Sequence, residues 1–228
     1  MRILDLDQRG NTPESVVEDH VALPDWRPQD RAFVRLNMIS SVDGGTAVGG
    51  VSGGLGNRDD HAVYAALRDH ADGVLVGLGT VIAEQYHVPV QPSLQLYVVA
   101  DTADVTGAED LFGSGRATLV VPESVDPVPD DMPVLQAGEG PFVDLKSALG
   151  ALAGKVVIAE GGPTLAGLLV AQGLIDEFFV TVAPRVIAGS SARVSHGPDA
   201  DPSLWELEHG FVDDDGFLFL RYCHRISA

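Results

Sequence analysis

The chain has 228 residues, 45% of them hydrophobic, and 33 acidic side chains against 14 Lys and Arg give a formal net charge of −19. That length suits one large α/β domain, and the apolar content excludes a disordered chain. The charge excludes a basic nucleic-acid footprint and disfavours an anionic membrane surface, so an anionic ligand would have to be held by local donors such as backbone N–H groups and helix N-termini.

Cys223 is the single cysteine, which excludes an intrachain disulfide and a Cys-rich metal site. The N-terminus lacks a signal-peptide core and no apolar run is long enough to span a bilayer, so a cytoplasmic location is expected. Residues 1–30 are polar and carry Pro13, Pro24 and Pro28. They read as an arm with a short helix over 13–20, capped by Thr12, and with Trp26 packing it onto a body formed by 31–228.

A strand is expected over 33–39, then a glycine-rich loop over 40–56. The spacing predicts a helix over 59–71, with Val63, Leu67 and His70 on one stripe. An apolar strand over 73–76 enters a turn at 77–79 and a helical turn at 80–84. Strands follow over 94–100 and 117–121, and a Pro- and Asp-rich loop over 122–140 carries a weak strand at 133–135. A helix over 144–152 is capped by Asp144. The fully apolar run 156–159 suits the centre of a parallel sheet. A helix over 162–172 ends at Gly173. A strand over 178–182 and an alternating, antiparallel strand over 217–225 complete the chain. Strands alternating with helices imply a mixed, mostly parallel sheet with helices on both faces.

Three stretches carry chemistry. In VVIAEGGPTLAG (156–167) a strand ends at Glu160, turns through Gly161 and Gly162, and enters a helix at Pro163. Glycines there would let a phosphate approach the backbone at the helix N-terminus, beside Thr164; the spacing equally fits an ordinary βα turn. Glu160 ends a buried strand and needs a partner. In GVLVGLGTVIAE (73–84) a second strand meets a Gly turn, and Thr80 is either a cap or a phosphate-facing hydroxyl. No third glycine follows Gly77 and Gly79, so a dinucleotide fingerprint of the classical kind is absent. In RLNMISSVDGGTAVGGVSGGLG (35–56) a loop of this length and glycine content is usually functional. Asp43 sits in its tight turn, and Ser52 is either a substrate contact or a loop hydroxyl.

Other chemistries lack parts. There is no G-x-S-x-G elbow and no phosphate-binding P-loop. The seven histidines have no metal-ligand spacing and read as surface or capping residues, so no metal is expected.

Taken in order, these stretches resemble the reductase domain of the bifunctional riboflavin-biosynthesis protein, with its dihydrofolate-reductase-like fold. The matching features are Val42-Asp43-Gly44, Ser52, Leu67-Arg68, the run from Ala71 to Val81, Glu160 to Leu165, Leu174 to Glu177, Thr181 to Pro184 and Leu220 to Tyr222. The resemblance covers about residues 32–225. It implies NADPH-dependent reduction of a phosphorylated ribosylaminopyrimidine by a homodimer that binds neither nucleic acid nor membrane. It places Ser41, Gly77, Thr80, Gly161, Gly162, Pro163, Thr164 and Leu165 at the cofactor, with Thr102 at its 2′-phosphate. Asn37, Ser52, Arg68 and Glu160 would meet the substrate, and Asp43, Glu84 and Glu160 are the carboxylates that could move or orient a proton.

The chain departs from that pattern at Asn37, where the family has a Lys, at Glu84-Gln85-Tyr86, where it has Asp-Asp-Pro, and near Gln91, where it has a phosphate-binding Arg. The zinc deaminase signature of the usual partner domain is also missing. The cofactor half is kept and the substrate half is altered. Reduction of another heterocycle, such as dihydrofolate or a pterin, and a non-catalytic NADPH-binding protein are therefore the competing expectations.

Overall fold

Runs rich in Val, Leu and Ile alternate with helices along the chain, and in the computed structural model, which describes residues 13–127, 130 and 132–224, they form one sheet. The strands are β1 (Phe33–Ser41), β2 (Gly73–Gly77), β3 (Gln95–Val99), β4 (Ala117–Val121), β5 (Val134–Gln136), β6 (Val156–Ala159), β7 (Glu177–Ala183), β8 (Trp205–Val212) and β9 (Leu218–His224). Their order is β5-β4-β3-β2-β6-β1-β7-β9-β8. The first seven are mutually parallel, and β9 runs antiparallel to both β7 and β8.

Alternation along each central strand sends side chains to two cores. Leu75, Val157 and Ala159 face α5 (Leu145–Gly150) and α6 (Pro163–Ala171). Val74 and Val76 face α3 (Leu78–Ala83) and α4 (Glu109–Phe112) on the other side. Ile158 and Phe179, on that same side, pack with α1 (Pro13–Val21) and α2 (Arg58–Asp69). The expected helices on both faces are present, because central parallel strands need cover on each side.

Two of the expected capping residues hold, whereas Thr80, read as a cap or a phosphate-facing hydroxyl, lies inside α3, whose N-cap is Gly77 with no side-chain cap. Asp144 accepts from the N–H groups of Lys146 and Ser147, and Gly173, at φ +64°, follows α6. Thr12, the expected cap of α1, and Arg225, the expected end of the last strand, lie outside the described residues. Asn57 caps α2 through its side chain. Two elements were not expected: α4, a single turn, and β8, whose alternation is broken by Gly210 and by a register shift between Leu207 and His209.

The arm docks through buried polar groups. Val16 and Val21 join the core, Trp26 packs edge-on against Phe33, and His20 is 1% exposed. The expectation that every histidine is a surface or capping residue is therefore corrected at His20. Its ring sits edge-on to Phe179 and Phe211, with Nδ1 3.0 Å from Nδ1 of His209. Burial, then the neighbouring His209 and Arg221, holds its pKa well below the usual imidazole value. Beneath it Glu177, fully buried, accepts from Arg35 Nε at 2.7 Å and from Nε and Nη2 of Arg221. The same two arginines donate to the carbonyls of Val21 and His20 at the C-terminus of α1, where a helix favours cations. Among the described residues no helix is long and apolar enough to cross a membrane.

Candidate active site

Parallel strands deliver their following loops to one edge, and ligands of open α/β sheets bind there. At that edge, between the ends of β1, β2 and β6, lies a cavity of about 1050 Å³. Its walls come from α2, from the turns into α3 and α6, and from the loops 46–53, 84–90 and 187–192.

Glu160 follows β6 and projects toward α2. Arg68 donates to it through Nε and Nη2, both at 2.7 Å. Tyr86 Oη donates at 2.7 Å and Tyr64 Oη at 3.3 Å to the same carboxylate. The partner that a carboxylate at a strand end requires is thus a fork-shaped guanidinium and two phenols. Burial works against the Arg68 charge, but the hydrogen bonds and charge of Glu160 outweigh it and raise the pKa. Burial, then Glu160, raises Tyr86 well above the phenol range, so it stays neutral. The guanidinium also lies over the Tyr64 ring, 4.3 Å from its centroid.

Glu84 and Ser52 meet from opposite loops: the Ser52 N–H donates to Glu84 Oε1 at 2.7 Å. Asp60, from α2, faces the same space, and burial raises its carboxyl pKa.

Behind Thr80 and Gly162 lies the junction of β2 and β6, whose Gly77 and Gly161 are not among the lining residues. Gly77 N–H donates to the Gly161 carbonyl at 2.9 Å, and Gly161 has φ +88°. The Gly161–Gly162 peptide is cis. A methyl group on Gly162 would lie 2.6 Å from Thr80 Oγ1, so the glycine is required for that approach. α6 starts at Gly162 with no side-chain cap, Pro163 at its first turn.

Not every expected residue lines the cavity. Asn37, Ser52, Arg68, Thr80, Glu84, Glu160, Gly162 and Pro163 do. Ser41 is buried, donating to Asp43 Oδ1 at 2.5 Å. Asp43 in turn accepts from the N–H groups of Ala188 and Ile187, at 2.7 and 3.2 Å. The Ser41 hydroxyl, then those N–H groups, lowers its pKa. Leu165 belongs to the core, Thr164 is exposed, and Thr102 is exposed in the loop after β3. Gln91 donates to Asp69 at 2.8 Å, outside the lining.

Sequence reasoning missed Tyr64 as a partner, although its place four residues before Arg68 puts both on one helix face. It also missed the 187–192 loop. There Ser191 Oγ accepts from the N–H groups of Thr46 and Ala47, both at 3.0 Å, closing one wall. No periodicity marks such a contact between two loops.

The mixed sheet, the cavity at its parallel strand ends and the Gly-Gly turn define an α/β protein of dihydrofolate-reductase-like fold. The chain belongs to the RibD C-terminal domain family, whose model matches residues 32–219. It is 29% identical over 203 residues to the 2,5-diamino-6-ribosylamino-4(3H)-pyrimidinone 5′-phosphate reductase of Methanothermobacter thermautotrophicus, covering 80% of this chain and 94% of that protein. In structure it is similar to a pyrimidine reductase-like protein from Corynebacterium diphtheriae, with TM-score 0.74, 21% identity and coverage of 95% of this chain and 100% of the other. Dihydrofolate reductase from Enterococcus faecalis, solved with NADP(H), shares the fold at TM-score 0.51 and 14% identity, over 85% of this chain and 96% of that one.

Proposed function

We propose that the chain is an NADPH-dependent reductase of a pyrimidine-type heterocycle. One observation carries this reading. The uncapped start of α6 at Gly162, pressed against Thr80, shares a cavity with the Arg68–Glu160 pair. A helix N-terminus with free N–H groups suits a pyrophosphate, and the close Gly162–Thr80 approach leaves no room for a larger side chain. These residues fit the cofactor.

Thr80 and the segment Gly161, Gly162, Pro163, Thr164 and Leu165 would hold the cofactor phosphates, with Ser41 and Gly77 shaping the turns beneath. Thr102, exposed after β3, would meet the 2′-phosphate. When bound, a reduced nicotinamide supplies a hydride. The substrate also needs one proton on the neighbouring heteroatom. Glu84 is the carboxylate placed to relay it, since it lines the cavity and its other oxygen is not occupied by Ser52. Glu160, saturated by Arg68 and the tyrosines, orients the ring beside Asn37 and Ser52. Asp43 acts indirectly by fixing the 187–188 wall. Homodimerisation and a cytoplasmic location, which the family resemblance and the single cysteine support, belong to the same proposal.

The test is thermal unfolding with NADPH, NADH or neither. NADPH at a hundred times its dissociation constant should add about 2.7 kcal/mol of stability. NADH should add less, and Gly162→Ala should abolish most of the gain. Equal shifts with the two cofactors would overturn the NADPH preference, and no shift with either would overturn the reductase reading.

A further inference from the structure

α2 turns Asp60, Tyr64 and Arg68 toward the cavity, each one helical turn from the next. Tyr64 and Arg68 are both committed to Glu160. Asp60, in the first turn, has no such use. Among the described residues no cation forms an ion pair with it. Its side-chain hydrogen-bond partner is the hydroxyl of Thr181, which is buried in β7. Burial raises the carboxyl pKa, against that hydroxyl and the nearby His61. Gly56, also in the lining, leaves one flank of the carboxylate open, since a methyl group there would lie 2.7 Å from Asp60 Oδ2.

The place of Asp60 in the sheet separates it from the proposed cofactor phosphates. Thr181 pairs with Ile39 of β1, which lines the cavity. Asp60 therefore stands over the β1–β7 side, whereas Gly162 and Thr80 stand at the ends of β6 and β2. β7 lies two strand spacings, about 10 Å, from β6. The other two cavity carboxylates are engaged: Glu160 accepts from Arg68 and two tyrosines, and Glu84 from the Ser52 N–H. A carboxylate can accept about four hydrogen bonds, so Asp60, with Thr181 beside it, still has room for two parallel N–H donors.

On the reductase reading proposed above, we infer that Asp60 selects the heterocycle: it takes the ring N–H and adjacent amino group of a 2-amino-4-oxopyrimidine edge and disfavours a uracil edge. The 2-amino-4-oxo edge offers two parallel donors, which match the two carboxylate oxygens as a guanidinium does. A uracil edge offers one N–H flanked by carbonyl oxygens, so one carboxylate oxygen would face another acceptor. The names of two relatives carry one ring each. The Methanothermobacter reductase is named for 2,5-diamino-6-ribosylamino-4(3H)-pyrimidinone 5′-phosphate, and a structural relative from Thermotoga maritima for 5-amino-6-(5-phosphoribosylamino)uracil. Both compounds carry the ribosyl phosphate, so the choice between them falls on the ring edge alone.

The test measures binding of these two compounds to the NADP+-loaded chain by calorimetry, and their turnover by NADPH oxidation. The diaminopyrimidinone should bind more tightly than the uracil compound by about tenfold. Asp60→Asn exchanges one acceptor for a donor, which fits the uracil edge, so the preference should reverse. A merely structural defect would weaken both compounds alike. Asp59→Asn, which removes the same charge outside the lining, should leave the ratio unchanged. Dihydrofolate carries the same amino edge on a fused ring. Turnover of dihydrofolate alone, with its binding lost in Asp60→Asn, would assign the edge to a pterin and uphold the role of Asp60. Equal binding of the two pyrimidines, or a preference that survives Asp60→Asn, overturns the inference, and turnover of either would then leave the reductase reading standing. A preference that reverses in Asp60→Asn without turnover of any of the three upholds Asp60 as the reader of the edge and removes the reductase reading. Binding of none of them overturns the inference.

Discussion

The Arg68–Glu160 pair in the cavity and the Arg35–Glu177–Arg221 cluster beneath α1 use the same two residue types in opposite surroundings. In the cavity, one arginine and two phenols saturate a single carboxylate at the edge of a space that a ligand can enter. Beneath α1, one carboxylate serves two arginines in a sealed core, and Arg35 Nη1 is left without a partner. Burial there lowers the Arg35 pKa to about 10 even though Glu177 opposes the shift, and the same burial, with Glu177, pushes the Cys223 thiol up to about 11. A sealed charge cluster fixes a docking geometry, whereas an open one presents chemistry. The difference lies in what surrounds the pair, not in the pair itself.

Breaking each pair should separate the two roles. The largest effect on stability is expected at Glu177. Glu177→Gln leaves two buried guanidinium groups without a counter-charge and should lower the unfolding free energy by about 3–5 kcal/mol, read by urea denaturation. Replacing all three charged residues with apolar ones of similar volume should recover most of that loss. A Glu177→Gln loss below about 1 kcal/mol would mean that the core cluster is no more structural than the cavity pair.

At Glu160 the order of effects should reverse. Glu160→Gln should lower stability by only about 1–2 kcal/mol, because Arg68 can reach water. It should lower kcat/KM by about a hundredfold, or roughly 2.7 kcal/mol of transition-state stabilisation. Steady-state kinetics beside denaturation curves distinguishes this from plain unfolding.

The smallest effect concerns pH and sharpens the contrast further. His20 titrates well below 6.5 in the folded chain, so below pH 6.5 the unfolded chain takes up a proton that the folded chain refuses. Its contribution is intact above pH 6.5. It should fall as the pH drops, by up to about 1.4 kcal/mol per pH unit, and level off once the folded ring protonates. His20→Gln should flatten that part of the profile, measured as unfolding free energy between pH 7 and 5, and should leave the response to NADPH unchanged.

Much of the architecture was legible because it rests on local signals. The all-apolar run of β6 marked a central strand, and the Asp144 cap and the Gly-Gly-Pro turn marked helix ends. Glu160 was legible for a related reason, since a carboxylate at the end of such a strand demands a partner. The buried cluster was not. Arg35 and Arg221 stand 186 residues apart, on strands expected separately; only the pairing of β7 with both β1 and β9 brings them together. β8 escaped because its bulge disrupts the alternation by which strands are recognised. His20 escaped because nothing local announces a partner at His209.

The sheet order carries a consequence for how the chain is made. β1 lies between β6 and β7, with Phe33 opposite Val156 and Arg35 opposite Glu177. A ribosome emits the N-terminus first, yet this strand can find no backbone partner until well over a hundred further residues have emerged. Such long-range closure slows folding and prolongs exposure of an apolar segment. The newborn chain must therefore keep Phe33, Val34 and Leu36 from foreign partners until β6 and β7 have emerged.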